Sequence, residues 1–215
     1  MTTNERIDHL ERLLEVVRGL TTAPDIESFL QTIIAEASEM TDSELASILE
    51  YDPEAKELRF LSTIWFDRDV LRPMGVPLEG SVAGEVFRKA HPLIIQDTKA
   101  DQRHFKVVDR VTKHETHSLA AVPIIVRGDT IGVLEALNKR DDAHYTEEDL
   151  TILATFAAIA GQAMSIWYKE GTAASLVGGK RCIWWQKCST SRALGINSSL
   201  APKRTLAMVK ARPAA

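Results

Sequence analysis

Side chains able to carry chemistry are sparse in the first 170 positions of this 215-residue sequence. Both cysteines, Cys182 and Cys188, lie beyond that point. The body before them therefore offers no thiolate nucleophile, no disulfide and no Cys-ligated zinc. His114-Glu115-Thr116-His117 sets two histidines three apart, which would share a helix face, but a metal site needs further ligands that this spacing does not supply. The order also differs from the His-Glu-x-x-His of a metalloprotease. These histidines read as solvated or ligand-lining groups on a loop before a strand. Asp141-Asp142 and Glu147-Glu148-Asp149 read as charges at a helix entry, where the helix dipole favours acids. Arg127-Gly128-Asp129, between two strand-like runs, reads as a turn. No Gly-rich phosphate loop, Ser/His/Asp order or paired-carboxylate motif stands out.

The elements that must position these groups follow from apolar periodicity. Ile7, Leu10, Leu14 and Val17 recur at helical spacing among charges and predict an amphipathic helix over 5–20. It is too short to stand alone; it either packs on its own domain or pairs with a second copy. Asp25 can cap a second helix, whose stripe is Ile26, Phe29, Leu30, Ile33, Ile34, Ala37 and Met40. LASILEY and ELRFLST, around Asp52-Pro53-Glu54-Ala55-Lys56, predict a hairpin. VAGEVFRKA, introduced by Gly80-Ser81 and closed before Pro92, predicts a short helix, and LIIQ (93–96) a short strand. A second short helix is expected over 104–114. SLAAVPIIV (118–126) and TIGVLEALN (130–138) predict another hairpin, and Thr146 begins a last long helix with Leu150, Leu153, Ala154, Ala157, Ala160, Met164 and Trp167 on its apolar face. Adjacent hairpins imply an antiparallel sheet with the long helices on one face.

Charge divides the chain. Residues 1–170 hold all 30 acids and 18 of the 26 Lys and Arg, a net of −12, whereas residues 171–215 hold eight Lys and Arg and no acid, a net of +8. An acidic body argues against nucleic-acid binding by residues 1–170. MTTNERIDHLERLLEVV has no apolar stretch of signal-peptide type, and no run of roughly 18 apolar residues appears, so a cytoplasmic protein without a membrane span is expected.

These residues, in order, resemble a known family. EGSVAGEVFRKAHPLIIQD (79–97), DQRHF (101–105), THSLAAVPIIVRGDTIGVLEALNK (116–139) and YTEEDLTILATFAAIAGQAM (145–164) are similar to successive segments of GAF domains. The resemblance implies an α+β fold: a GAF-like antiparallel β-sheet with long N- and C-terminal helices on one face, and short helices and loops covering a ligand pocket on the other. It implies three regions, an N-terminal amphipathic or dimerisation helix (1–22), the GAF domain (23–169) and a basic, irregular tail (170–215). Asn138, Lys139, Tyr145 and Asp149 resemble the Asn-Lys…Phe…Asp-Glu motif of cyclic-nucleotide-binding members, with Tyr for Phe and Leu150 for Glu. In the family the Lys and Asp pair structurally. The bottom-up reading agrees, because Thr146 and Asp149 have capping-box spacing. Without a cysteine before residue 182, the methionine sulfoxide reductase activity of some members and covalent bilin attachment, for which Thr116 stands near the thiol position, are not expected.

By the same resemblance the pocket cover is residues 64–117. Trp65, Phe66, Phe87, Phe105 and Thr116 are the candidate lining residues, and Asp97 and Arg103 would either orient a polar ligand or pair with each other. No covalent cofactor is implied; the ligand is an unidentified small molecule, with a cyclic nucleotide as the named candidate. The expected role is non-catalytic sensing in signal transduction. Ligand order in the cover would shift the packing of the end helices in a homodimer and act on an output domain or a partner kinase. A protein-interaction module with a vestigial pocket is the alternative. The tail, with Trp184-Trp185 and no acid, is expected to be either a basic segment for an anionic partner or the product of a shifted or truncated reading frame; the abrupt loss of acids favours the second.

Overall fold

The computed structural model describes residues 3–63, 68–71, 73–103 and 105–170. Trp65, Phe66, both cysteines and the basic tail lie outside the described residues, and so do the readings that rest on them.

The element order is α1 (Thr3–Gly19), α2 (Ile26–Met40), β1 (Ser43–Asp52), β2 (Glu57–Thr63), α3 (Arg68–Leu71), β3 (Gly75–Pro77), α4 (Val82–Lys89), β4 (Leu93–Ile95), α5 (Val107–Thr112), β5 (Leu119–Val126), β6 (Asp129–Lys139), a 3-10 turn (Arg140–Asp142) and α6 (Glu147–Glu170). The strands form one six-stranded sheet, ordered β3-β2-β1-β6-β5-β4, with every neighbour antiparallel. Both expected hairpins, β1–β2 and β5–β6, are present. The helix expected over 104–114 is the shorter α5, Val107–Thr112. The stretch between β2 and α4 contains α3 and the edge strand β3, which sequence pattern does not reveal because three residues show no alternation.

Strand alternation gives the sheet two apolar faces. One carries Ala46, Ile48, Val122, Ile124, Leu134 and Ala136 against α2 and α6, whose buried stripes include Phe29, Ile33, Leu153, Phe156 and Met164. The other carries Leu49, Phe60, Leu119 and Val133 against Leu71, Val76, Val82 and Val86 of the cover. Leu61 is a bulge: Ile48 opposes Ser62 and Leu49 opposes Phe60, so Leu61 has no partner and packs toward the helices instead. Pro123 is tolerated inside β5 because the β4 ladder reaches only Leu119 to Ala121, leaving that edge open where Pro lacks its N–H.

Local signals set the helix ends. The Asp25 carboxylate accepts from Ser28 N at 2.7 Å, and that bond holds its pKa below the ordinary value. At α6, Thr146 N donates to Asp149 Oδ2 (2.8 Å) and Asp149 N donates to Thr146 Oγ1 (3.3 Å), a reciprocal capping box. Over Glu147–Trp167, α6 has a mean hydropathy of 1.5, long and apolar enough by composition to cross a bilayer. Its apolar side is instead the domain core, where Leu153, Phe156, Ala160 and Met164 are fully buried. Helix α1 carries two stripes. Val16 is buried with Leu13 and Leu20 packed beside it, while Ile7, Leu10, Leu14 and Val17 remain exposed.

Candidate ligand site

A cavity of about 80 Å³ lies between the sheet and its cover. Its floor is Leu45 and Ser47 of β1, Phe60 of β2, Leu119 of β5, and Glu135 and Leu137 of β6; its roof includes Val82 and Ala83 of α4, Val108 of α5 and Phe105. Most of the wall is apolar, with a few polar groups at defined positions, the usual make-up of a small-molecule site.

Local chemistry builds the roof. Ser81 caps α4 by accepting from Gly84 N at 3.0 Å. Gly84 is required by close approach, because a Cβ there would stand 2.3 Å from the Leu78 carbonyl oxygen. Val82 N donates to Arg103 O (3.1 Å), tying the 101–105 loop to this helix start. The Arg103 guanidinium then bridges Asp101 Oδ1 (2.9 Å from Nε) and Glu85 Oε2 (2.9 Å from Nη1). Those bonds, first to Asp101 and then to Glu85, raise its pKa further. Helix α5 is tied to the segment entering β5 through Asp109, which accepts from Thr116 Oγ1 (2.9 Å) and Thr116 N (3.2 Å). Thr98 N donates to His117 O at 2.9 Å, and Thr98 Oγ1 donates to Thr116 O, so the segment entering β5 is held from both sides.

The cavity wall includes Arg103, Phe105 and Thr116 from the sequence-derived set. Asp97 and Phe87 are elsewhere. Asp97 is exposed and accepts from Lys99 N at 2.9 Å, so the expected Asp97–Arg103 pair does not form; Asp101 is closer along the loop and Glu85 lies across it. Phe87 turns away to pack on Tyr51, with ring centroids 4.7 Å apart. Trp65 and Phe66 lie outside the described residues.

None of the four motif residues lines the cavity. Lys139 Nζ donates to Asp149 Oδ1 (2.8 Å) and to Thr41 O (2.9 Å), with the two side chains only 14% and 7% exposed. Tyr145 OH donates to Ser43 Oγ at 2.9 Å, and burial raises the phenol pKa. Gln96 clasps Tyr145, accepting from its N–H (3.1 Å) and donating to its carbonyl (2.7 Å). Asn138 sits at φ 56, and its side chain accepts from His117 N (2.7 Å) and donates to Glu115 O (3.0 Å) and Glu44 Oε2 (2.8 Å). The motif thus ties the ends of α2, β6 and the 114–118 loop to the start of α6. Leu150, at the position of the motif's Glu, is buried in the helix-side core.

Sequence reasoning missed Glu135. It is 7% exposed on the cavity floor, and desolvation raises its pKa to about 7. The signal was present: within GVLEALN, Val133 and Leu137 share its face, so an acid stands on an apolar, inward side of a central strand.

A curled antiparallel sheet with long helices on one face, and a cavity under short helices and loops on the other, defines a cavity-enclosing α+β fold class. The profile described as GAF domain matches residues 23–165, about two-thirds of the chain, and the chain belongs to the GAF domain family. Over 92 residues it is 29% identical to the rod cGMP-specific 3',5'-cyclic phosphodiesterase subunit alpha of Canis lupus familiaris, spanning 43% of this chain and 11% of that subunit. Among solved structures it is similar to the GAF domain of a phosphoenolpyruvate-protein phosphotransferase from Coxiella burnetii, with 17% identity, TM-score 0.68, and coverage of 77% of this chain and 98% of that one. It is also similar to free methionine-R-sulfoxide reductase from Neisseria meningitidis, with 17% identity, TM-score 0.64, and coverage of 79% and 95%. GAF domains are in general regulatory domains of signalling proteins, although this last neighbour is an enzyme.

Proposed function

We propose that residues 23–169 form a non-catalytic, cytoplasmic sensing domain that binds a small molecule in the cavity between sheet and cover. The observation that carries this reading is the cavity itself: apolar-walled, roofed by elements pinned at few points, and floored by a buried carboxyl. The roof helix α5 buries no residue and leaves Val107 and Val111 exposed, so ligand contact through Val108 has little packing to overcome. A ligand that favours one roof position shifts the population toward it. A cyclic nucleotide is one candidate, supported by the motif and by the phosphodiesterase likeness. It is several times larger than the roughly half-dozen water-sized groups that about 80 Å³ admits, so its entry requires the roof to open. Isothermal titration against cyclic AMP, cyclic GMP and a metabolite panel tests the reading. No saturable binding by any of them would leave a protein-docking role.

A second strand of the proposal is the homodimer. The exposed stripe Ile7, Leu10, Leu14 and Val17 on α1, with exposed Ile166 on α6, supports an interface between end helices that would relay roof position to an output domain or partner kinase. Sedimentation of residues 1–170 against 22–170 tests it: equal monomeric masses sink the dimer.

A further inference from the structure

Ser47 and Glu135 are direct cross-strand partners of β1 and β6, and both line the cavity floor. They are 5% and 7% exposed. Among the described residues neither side chain has a hydrogen bond or ion pair. Ser62 Oγ is the side-chain polar atom fully enclosed without a partner among the described residues, so the Glu135 and Ser47 oxygens, unpaired by protein, open onto the cavity space itself.

The other titratable groups at the cavity are committed elsewhere. Arg103 is held by Asp101 and Glu85. Asp109 is bonded to Thr116, and His114 lies against Asn138 and Glu44. Among the described residues of the wall, Arg103 therefore already carries two carboxylates, and the acceptor on the floor shares the cavity with Leu45, Phe60, Leu119 and Leu137. Thr63, Ser81, Thr112 and Thr116 are bonded as well, so the groups left for a ligand are one carboxylate, one hydroxyl and hydrocarbon, which select a complementary shape: a nitrogen cation at one end and an apolar body behind it. The volume restricts that body to a few heavy atoms while the roof is closed.

We propose that Glu135 and Ser47 form the recognition site for a compact amine or amidine, whose protonated nitrogen donates to the Glu135 carboxylate and to Ser47 Oγ while its apolar part packs on Phe60 and Phe105. This rests on the sensing reading of the cavity and names the ligand class. Carboxylate and cation neutralise each other inside the site, which removes the reason for Glu135 to bind a proton there.

The test uses the full chain and two matched panels followed by calorimetry and thermal shift. Propylamine, butylamine and acetamidine form the cationic set; propanol, butanol and acetamide are the neutral counterparts, with cyclic AMP and cyclic GMP as a third arm. The expected result is saturable binding of the cationic set alone, weakened roughly ten- to a hundredfold by Glu135→Gln, the worth of a charge-assisted bond to a buried carboxylate. Should that variant fail to fold, Ser47→Ala and carbon-13 NMR of labelled glutamate in the wild type replace it: one buried carboxyl resonance must shift with amine and not with alcohol. Equal binding of neutral and cationic partners, or binding of cyclic nucleotides alone, overturns the amine assignment and leaves the sensing reading intact. No binding in any arm overturns the amine assignment, and if the metabolite panel fails to bind as well, the sensing reading falls with it.

Discussion

Replacing Glu135 by Gln isolates the cost of a lone carboxylate on the sheet. Burial moves the Glu135 pKa from 4.5 to about 7, with desolvation as its cause. Between those two values the native chain holds a proton that the unfolded chain has released. Stability therefore falls as pH rises through that window, and levels off once the native carboxyl is ionised as well. At about 1.4 kcal/mol per tenfold change in proton affinity, the loss between pH 5 and pH 8 is about 2–3 kcal/mol. Gln keeps the shape and cannot ionise, so E135Q lacks this term. Thermal unfolding of both proteins at pH 5, 6, 7 and 8 provides the assay. The melting temperature of E135Q relative to wild type should rise by roughly 5–10 °C from pH 5 to pH 8 for a chain of this size. Parallel pH profiles would refute the reasoning, because they would mean that Glu135 is solvated or paired at every pH. The same experiment with a saturating amine should flatten the wild-type profile, since the bound cation replaces the proton.

Three further outcomes follow from packing. Lys139→Met leaves Asp149 buried without its cation and should cost about 3–5 kcal/mol in urea unfolding; a loss below about 1 kcal/mol would show that the pair behaves as a surface bridge. Gly84→Ala drives a Cβ to 2.3 Å from the Leu78 carbonyl and should cost at least about 3 kcal/mol, the top of the usual overpacking range. Gly80→Ala, at φ 74 with no atom within 4 Å, should cost only about 1–2 kcal/mol by backbone strain; equal losses at the two glycines would contradict the contact argument. Leu10→Glu with Leu14→Glu should reduce the sedimenting mass to one chain without changing the far-ultraviolet spectrum, and a monomeric wild type would dispose of the α1 interface.

Much of the candidate site's scaffold was legible before any coordinates. The Asp25 cap, the Thr146–Asp149 box, the Ser81 entry to α4 and the two hairpins each depend on residues a few positions apart, so their types and spacing suffice. The Lys139–Asp149 pair was legible through the family motif. The site was less so. Arg103 was expected either to orient a polar ligand or to pair with Asp97; it stands on the cavity wall, and Glu85, 18 residues away, shares its guanidinium with Asp101. Phe87 was expected in the wall, but Tyr51 offers its ring a better-packed neighbour. Helix α1 read as either packed or paired; it has one stripe for its own core and a second that stays exposed.

The sequence by itself determined the order of the long helices and the two hairpins, the antiparallel class, the family and the absence of cysteine chemistry before residue 182, because each is written in composition or in short periodic patterns. Only the tertiary structure decided which polar groups meet the cavity and which of them lack a partner. Glu135 is one acid among 30 until β1 sets Ser47 opposite it, the cover closes a largely apolar cavity over it, and Arg103, on the same wall, pairs with Asp101 and Glu85. Desolvation and pairing are properties of what surrounds a side chain, and on this sheet much of what surrounds Glu135 comes from other strands and from the cover.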